Sequence, residues 1–301
     1  MSEDKFLNRR NFIKGGATSL AALAAGAALV SNTAQANTMK PKAAKELANP
    51  NGRFAGKVVA ITGGNSGIGK ATAQAFAMEG AKVFITARRD ALGKQVAAEL
   101  RQKGGDVTWM VTDVRHPDQV ERFINTIVSK AGRLDVLFNN AGIFMTPKVI
   151  EEISVQNFQD MMATNVEGVF YGMKYAMPVM KKQGEGVIVN MASVAGHRGF
   201  ANTGHYSASK HAVIGLTKAA ANGSGKDNIR INSISPLAVD TPMLEESFAY
   251  QGVTYEQMAP HFVTPRIMDA NEIAEGVMFL ASAEGTAING MDLDCTGGQL
   301  A

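Results

Sequence analysis

Tyr206 and Lys210 stand four residues apart in GHYSASKHAVIGLT, and Ser193 lies upstream at the end of the apolar run VIVNMAS. On a helix, positions i and i+4 share a face, so this spacing sets an ammonium beside a phenol. A neighbouring positive charge favours the phenolate and lowers a pKa that starts near ~10. Tyr206 then becomes a proton donor and acceptor near neutral pH. Tyr and Lys four apart also occur on ordinary exposed helix faces, so the pair gains meaning only from what accompanies it.

What accompanies it is the stretch VVAITGGNSGIGKATAQAFA, residues 58 to 77. Val58 to Ile61 read as a buried parallel strand, and Lys70 to Met78 as an amphipathic, alanine-rich helix. Between them Gly63, Gly67 and Gly69 permit positive φ and close backbone approach. The free N–H groups and positive end of the helix can therefore hold a pyrophosphate. The spacing is GxxxGxG rather than the commoner GxGxxG.

Together TGGNSGIG (62 to 69), NNAG (139 to 142), Ser193, Tyr206 and Lys210 resemble the short-chain dehydrogenase/reductase family in its single-domain form, from about Gly56 to Gly298. The resemblance implies an α/β fold, a Rossmann-like doubly wound parallel sheet in one domain. It also implies an NAD(P)-dependent oxidoreductase that moves hydride between nicotinamide and an alcohol or ketone. The roles it implies are Tyr206 as general acid/base, Lys210 lowering its pKa and binding the ribose, and Ser193 orienting the substrate oxygen. Asn165 would hold a water that relays protons to Lys210. The cofactor would lie against Gly63, Asn65, Ser66, Gly67, Ile68, Gly69, Arg88, Asp113, Val114, Asn140, Ala141, Gly142, Tyr206, Lys210, Pro236, Val239 and Thr241. Family members usually form homodimers or homotetramers through their long helices.

Cofactor choice turns on the end of the second strand, where an acidic residue would bind the ribose 2′-hydroxyl of NAD and an arginine the 2′-phosphate of NADP. TARRD places Ala87 there, followed by Arg88 and Arg89. NADP(H) is the favoured cofactor and NAD(H) remains possible; the other reading of both arginines is solvated surface charge. Asp113 is either the family's adenine-contacting acid or a helix cap before His116 and Pro117. Two departures stand out: Leu237 follows Pro236 where the family commonly has glycine, and Asn222-Gly223 should fray the catalytic helix early.

The remaining strands are expected at 83–87, 107–111, 134–140, 187–192 and 229–235, with a last one near Met291 to Asp294; their alternation with helical segments implies a parallel sheet. Strand ends carry Gly63, Asp113, Asn139, Ser193 and Pro236, the edge where such sheets bind ligands. Residues 154–181 read as one long helical segment containing Asn165. MLEESFAYQGVTYEQMAPHF, 243 to 262, would be a lid over an apolar alcohol or ketone, or a surface packed on a neighbouring subunit.

Composition sets the remaining bounds. Of 301 residues 46% are hydrophobic and 19% charged, which suits one domain with a sizeable core. The formal charge of +3 owes much to four basic and two acidic groups in residues 1–36. No basic stripe with interleaved aromatics suggests nucleic acid, no His/Cys/carboxylate spacing suggests metal, and the single Cys295 excludes an internal disulfide. Asn8 to Lys14 resemble the twin-arginine export motif, Gly15 to Val30 form an uncharged apolar stretch, and Ala34-Gln35-Ala36 offer a cleavage site. A periplasmic protein cut after Ala36, carried by the twin-arginine machinery, with a flexible linker at 37–53 and the domain at 54–301, is the expectation. A different class stays open: a non-catalytic dinucleotide-binding or redox-sensing protein on the same fold.

Overall fold

The computed structural model describes Lys45 and residues 47–301; the signal peptide and cleavage site expected at 1–36 lie outside the described residues. Seven strands form one parallel sheet in the order β3-β2-β1-β4-β5-β6-β7. They are β1 (Val58–Thr62), β2 (Lys82–Ala87), β3 (Asp106–Val111), β4 (Val136–Asn139), β5 (Gly186–Met191), β6 (Ile229–Pro236) and β7 (Asp292–Cys295). Each falls within a residue or two of its expected place. The chain order reverses between β1 and β4, which pair from Val59 with Val136 to Thr62 with Asn139. That reversal opens a crevice at the carboxyl ends.

Both faces of the sheet are buried, so successive strand residues serve opposite cores. Val59 and Ile61 join the cluster under α1 (Gly67–Met78), α2 (Asp90–Gln102) and α9 (Ala270–Ala281), with Phe76, Leu100 and Val277. Val58 and Ala60 join the other, under α3 (Pro117–Ala131), α5 (Gly168–Gln183) and α6 (Gly204–Ser224), with Phe123, Met173 and Val213. This two-sided burial explains why the strands read as near-continuous apolar runs.

The single helical segment expected at 154–181 is divided. α4 (Val155–Met162), opened by the Ser154 side chain accepting from Asn157 N at 3.1 Å, runs into a π-helical turn over Ala163–Glu167, and α5 continues from it. A π turn adds a residue to one coil and re-aims its side chains, and Asn165 is on it.

Two local expectations need correction. α6 does not fray at Asn222-Gly223 but runs through Ser224, because Ala221 and Ser224 are buried and Asn289 Nδ2 donates to the Ala221 carbonyl at 3.3 Å. Tertiary packing outweighs a local propensity deficit of about 1 kcal/mol. Part of the expected linker is also tied to the domain: Ala48 N donates to Lys103 O at 3.0 Å and Asn49 N to Met78 O at 2.9 Å.

Candidate active site

The glycine loop is shaped by contacts that exclude side chains. Gly63 and Gly67 have φ of 67° and 49°, the left-handed region that favours glycine. A Cβ on Gly69 would run into the Gly63 carbonyl and Asn140. Thr62 Oγ1 accepts from the amides of both Asn140 and Ala141 at 3.0 Å, and Asn140 Nδ2 donates to the carbonyls of Thr62 and Gly63 at 3.0 and 3.2 Å. The loop after β1 and the NNAG turn after β4 are thus one hydrogen-bonded unit. Ser66, at the N-cap of α1, makes no capping bond, so the first-turn amides keep their donors for a ligand.

Four residues meet on the other side of the crevice. Ser193, leaving β5 in extended backbone, accepts from Ala195 N at 3.2 Å and hydrogen-bonds with the Tyr206 phenol. It therefore caps a turn and touches the phenol at once. Lys210 Nζ donates to Met191 O at 2.8 Å and stands 5.5 Å from the centre of the Tyr206 ring. Asn165 accepts from Ile143 N at 2.8 Å and donates to Ile143 O at 3.1 Å and to Ser209 Oγ at 3.1 Å; Ser209 Oγ in turn donates to Tyr206 O at 2.7 Å. A Cβ built on Gly142 would lie 3.3 Å from Asn165 Oδ1 and 3.8 Å from Lys210 Nζ, which brings these two groups to the same small space.

The electrostatics differ from the sequence-based expectation. Burial pushes the Tyr206 phenol up to about 12, opposed by the Ser193 hydrogen bond, and holds the Lys210 ammonium down to about 8. The Lys210 ammonium is directed to the Met191 carbonyl, and burial opposes the charged form of each group.

One cavity of about 840 Å³ runs from the glycine loop to the segment at 243–262. Every residue expected at the site lines it except Gly69, which packs beneath the loop, and Asn165, which lies behind Gly142. Arg88 and Arg89 reach it from the end of β2, and Arg89 Nη2 donates to Ser66 Oγ at 2.9 Å. The Asp113 carboxylate is gripped by Arg115, with Nε at 3.0 Å and Nη2 at 2.6 Å, which holds it below the usual carboxylate range against the opposing effect of burial. It does not cap α3, whose N-cap is His116. Leu237 lines the cavity and packs against both a sheet core and the small separate cluster that includes Phe248, Met258 and Phe262. The segment expected as a lid or a subunit surface folds as α7 (Pro242–Gln251), α8 (Tyr255–Met258) and a short turn, with α7 capped by Thr241 Oγ1 accepting from Leu244 N at 3.3 Å.

Two roles were not expected of residues already in the motifs, Thr62 tying two loops and Arg89 tying the second strand to the glycine loop, and one contributor, Phe144, was missed, its ring meeting Tyr206 edge-to-face at 5.1 Å. The TARRD run already carried Arg89, whereas Phe144 stands in an irregular loop with no period to reveal it.

The residues fit a dinucleotide: a cradle that a Cβ would fill, uncapped helix amides and two arginines line one trough beside a Ser–Tyr–Lys cluster. Fold and site define a nucleotide-dependent oxidoreductase. The short chain dehydrogenase family profile matches residues 57–252, and the chain belongs to that family. It is an NAD(P)-dependent oxidoreductase of the alcohol and ketone type. Levodione reductase of Leifsonia aquatica is 38% identical over 260 residues, 84% of this chain and 97% of the relative. The 2,5-dichloro-2,5-cyclohexadiene-1,4-diol dehydrogenase LinX of Sphingobium indicum is 37% identical over 246 residues, 82% and 97%. The crystal structure of levodione reductase superposes with a TM-score of 0.80 at 36% identity, covering 82% of this chain and 98% of that one. ElxO with NADP bound gives 0.77 at 35%, covering 81% and 98%.

Proposed function

We propose that the protein is an NADP(H)-dependent reductase of apolar ketones, able to oxidise the corresponding alcohols, and that it works in the periplasm after export. The observation that carries the catalytic reading is the convergence of Ser193, Tyr206 and Lys210 with the glycine loop in one cavity. The arginines at the end of β2 support NADP(H), as does the likeness to ElxO, whose structure holds NADP.

Bound NADP(H) would supply or accept the hydride. Ser193 holds the substrate oxygen by the hydroxyl that already meets the phenol. Tyr206, kept neutral by burial, is in the form that donates a proton to a carbonyl oxygen. Lys210 fixes the geometry from its anchor on Met191, and Asn165 sits where a proton path past Gly142 would begin. The apolar lid residues Met243, Leu244, Phe248 and Phe262 exclude water and favour an uncharged substrate. Ketone-dependent NADPH oxidation by the mature protein, lost in Tyr206→Phe, tests this reading. A dinucleotide binder without catalysis would bind NADPH and show no turnover with any ketone.

The export reading is supported by Arg9-Arg10, the uncharged stretch that follows and the Ala34-Gln35-Ala36 site. We assign the working state to a homodimer or homotetramer on the usual habit of the family. Sedimentation of the mature chain checks that assignment.

A further inference from the structure

We propose that Phe144 determines which ketones the site accepts: its ring positions the Tyr206 phenol and forms the wall against which a ring attached to the reacting carbon lies. The proposal rests on the ketone-reductase reading of this cavity and adds a residue and a substrate preference to it.

Phe144 lies in the irregular stretch that follows β4, where a side chain is ordinarily mobile. Here the preceding residue is clamped. The Asn165 amide accepts from Ile143 N at 2.8 Å and donates to Ile143 O at 3.1 Å, so the main chain entering Phe144 is held from the π turn. Its ring then meets Tyr206 with centroids 5.1 Å apart and planes at 76°, a geometry the ring quadrupoles favour. On the phenol's other sides stand Lys210, from its own helix, and Ser193, from the end of β5.

The rest of Phe144 is half-exposed and faces the cavity, where Phe200, Phe248 and Phe262 arrive from three other segments. Among the charged lining groups, Arg88 and Arg89 stand at the cofactor end, and Glu246 is exposed and accepts from Tyr250 Oη at 3.0 Å. Phe144 beside the proton donor, in a cavity that three further aromatic rings also line, suits a flat ring. Such a ring has few rotors to freeze and can stack offset or edge-on, whereas an alkyl chain must freeze several rotors to fill the same space.

The test compares acetophenone with 2-octanone, methyl ketones of equal carbon count, in the wild type, Phe144→Ala and Phe144→Leu, with NADPH affinity as the check that the site is intact. An aromatic pair contributes roughly two- to twelvefold. The expected result is a fall of that size or more in kcat/KM for acetophenone in both variants, with 2-octanone changed less. The second readout is the spectrophotometric midpoint of the Tyr206 phenol in the NADPH complex, isolated by difference from Tyr206→Phe. It should drop in Phe144→Ala, where water reaches the ring, and less in Phe144→Leu. Equal losses for both ketones with an unmoved midpoint would overturn the proposal. If the wild type reduces neither ketone, the ketone-reductase reading is what fails, and an unmoved midpoint still overturns the positioning role.

Discussion

Lys210 stands one helical turn from Tyr206 with its Nζ 5.5 Å from the phenol ring centre, yet its hydrogen bond goes to the Met191 carbonyl, 2.8 Å away. The ammonium is thus held by the end of β5 and buried there, while Tyr206 beside it lines the cavity. A stability dependence on pH follows. Burial lowers Lys210 from 10.5 to about 8, so between those values the unfolded chain holds a proton that the folded chain has released. Stability therefore rises with pH through this window, by at most ~1.4 kcal/mol per unit, and the cost of burying the charge is fully present below it. Tyr206, raised from 10.0 to about 12, acts in the opposite sense above pH 10, where only the unfolded phenol ionises. Urea midpoints between pH 8 and 10 should climb in the wild type relative to Lys210→Met. Parallel curves for the two proteins would refute the buried-ammonium account.

Tyr206→Phe should remove turnover and leave NADPH affinity nearly unchanged, because the ring keeps its edge-to-face contact with Phe144 while the proton is lost. A positioned acid is worth ~10²–10⁴ in rate. Steady-state kinetics beside cofactor titration checks this, and a variant retaining more than about a tenth of the rate, well outside that range, would exonerate Tyr206.

The two arginines should separate. Arg88→Ala is expected to weaken NADPH roughly tenfold or more and NADH little, as for loss of one charge-assisted contact. Arg89→Ala should weaken both cofactors, since its bond to Ser66 Oγ at 2.9 Å steadies the glycine loop they share. Fluorescence titrations with each nucleotide decide, and equal losses for both cofactors in Arg88→Ala would make that residue a surface charge.

Gly172, itself in no expected motif, packs against the first residue of the NNAG turn. A Cβ there would collide with the Asn139 side-chain oxygen, in a buried network where Asn139 Nδ2 donates to Asn190 Oδ1 at 2.9 Å and Asn190 Nδ2 to Thr217 Oγ1 at 2.9 Å. Gly172→Ala should cost about 1–3 kcal/mol by overpacking, read from urea unfolding. A loss below ~0.5 kcal/mol, the size of an ordinary surface change, would show that α5 can move away freely.

Export and cofactor loading should be coupled. A dinucleotide binding only the folded chain stabilises it by about 2.7 kcal/mol at ~100 times its dissociation constant, so loading before transport is expected. Replacing Arg9 and Arg10 with lysine should trap the precursor in the cytoplasm, and gentle periplasmic extracts should yield protein with near-stoichiometric nucleotide. Unimpaired export of the double-lysine variant removes the twin-arginine assignment.

What the amino-acid order determined by itself was local and periodic. Apolar runs of strand length, the glycine turn at 63–69, and the Ser193, Tyr206 and Lys210 set were all legible, because burial on both sheet faces and helical i, i+4 spacing leave a direct trace in residue type. Three things were decided only by the tertiary structure. The π turn at Ala163–Glu167 re-aims Asn165 so that it clamps Ile143. Burial pushes the Tyr206 phenol up and the Lys210 ammonium down. The loop after β4 swings Phe144 against a ring sixty-odd positions later in the chain. Each depends on atoms brought together from distant segments, and neither desolvation nor an aromatic contact across an irregular loop has a period that a linear sequence could carry.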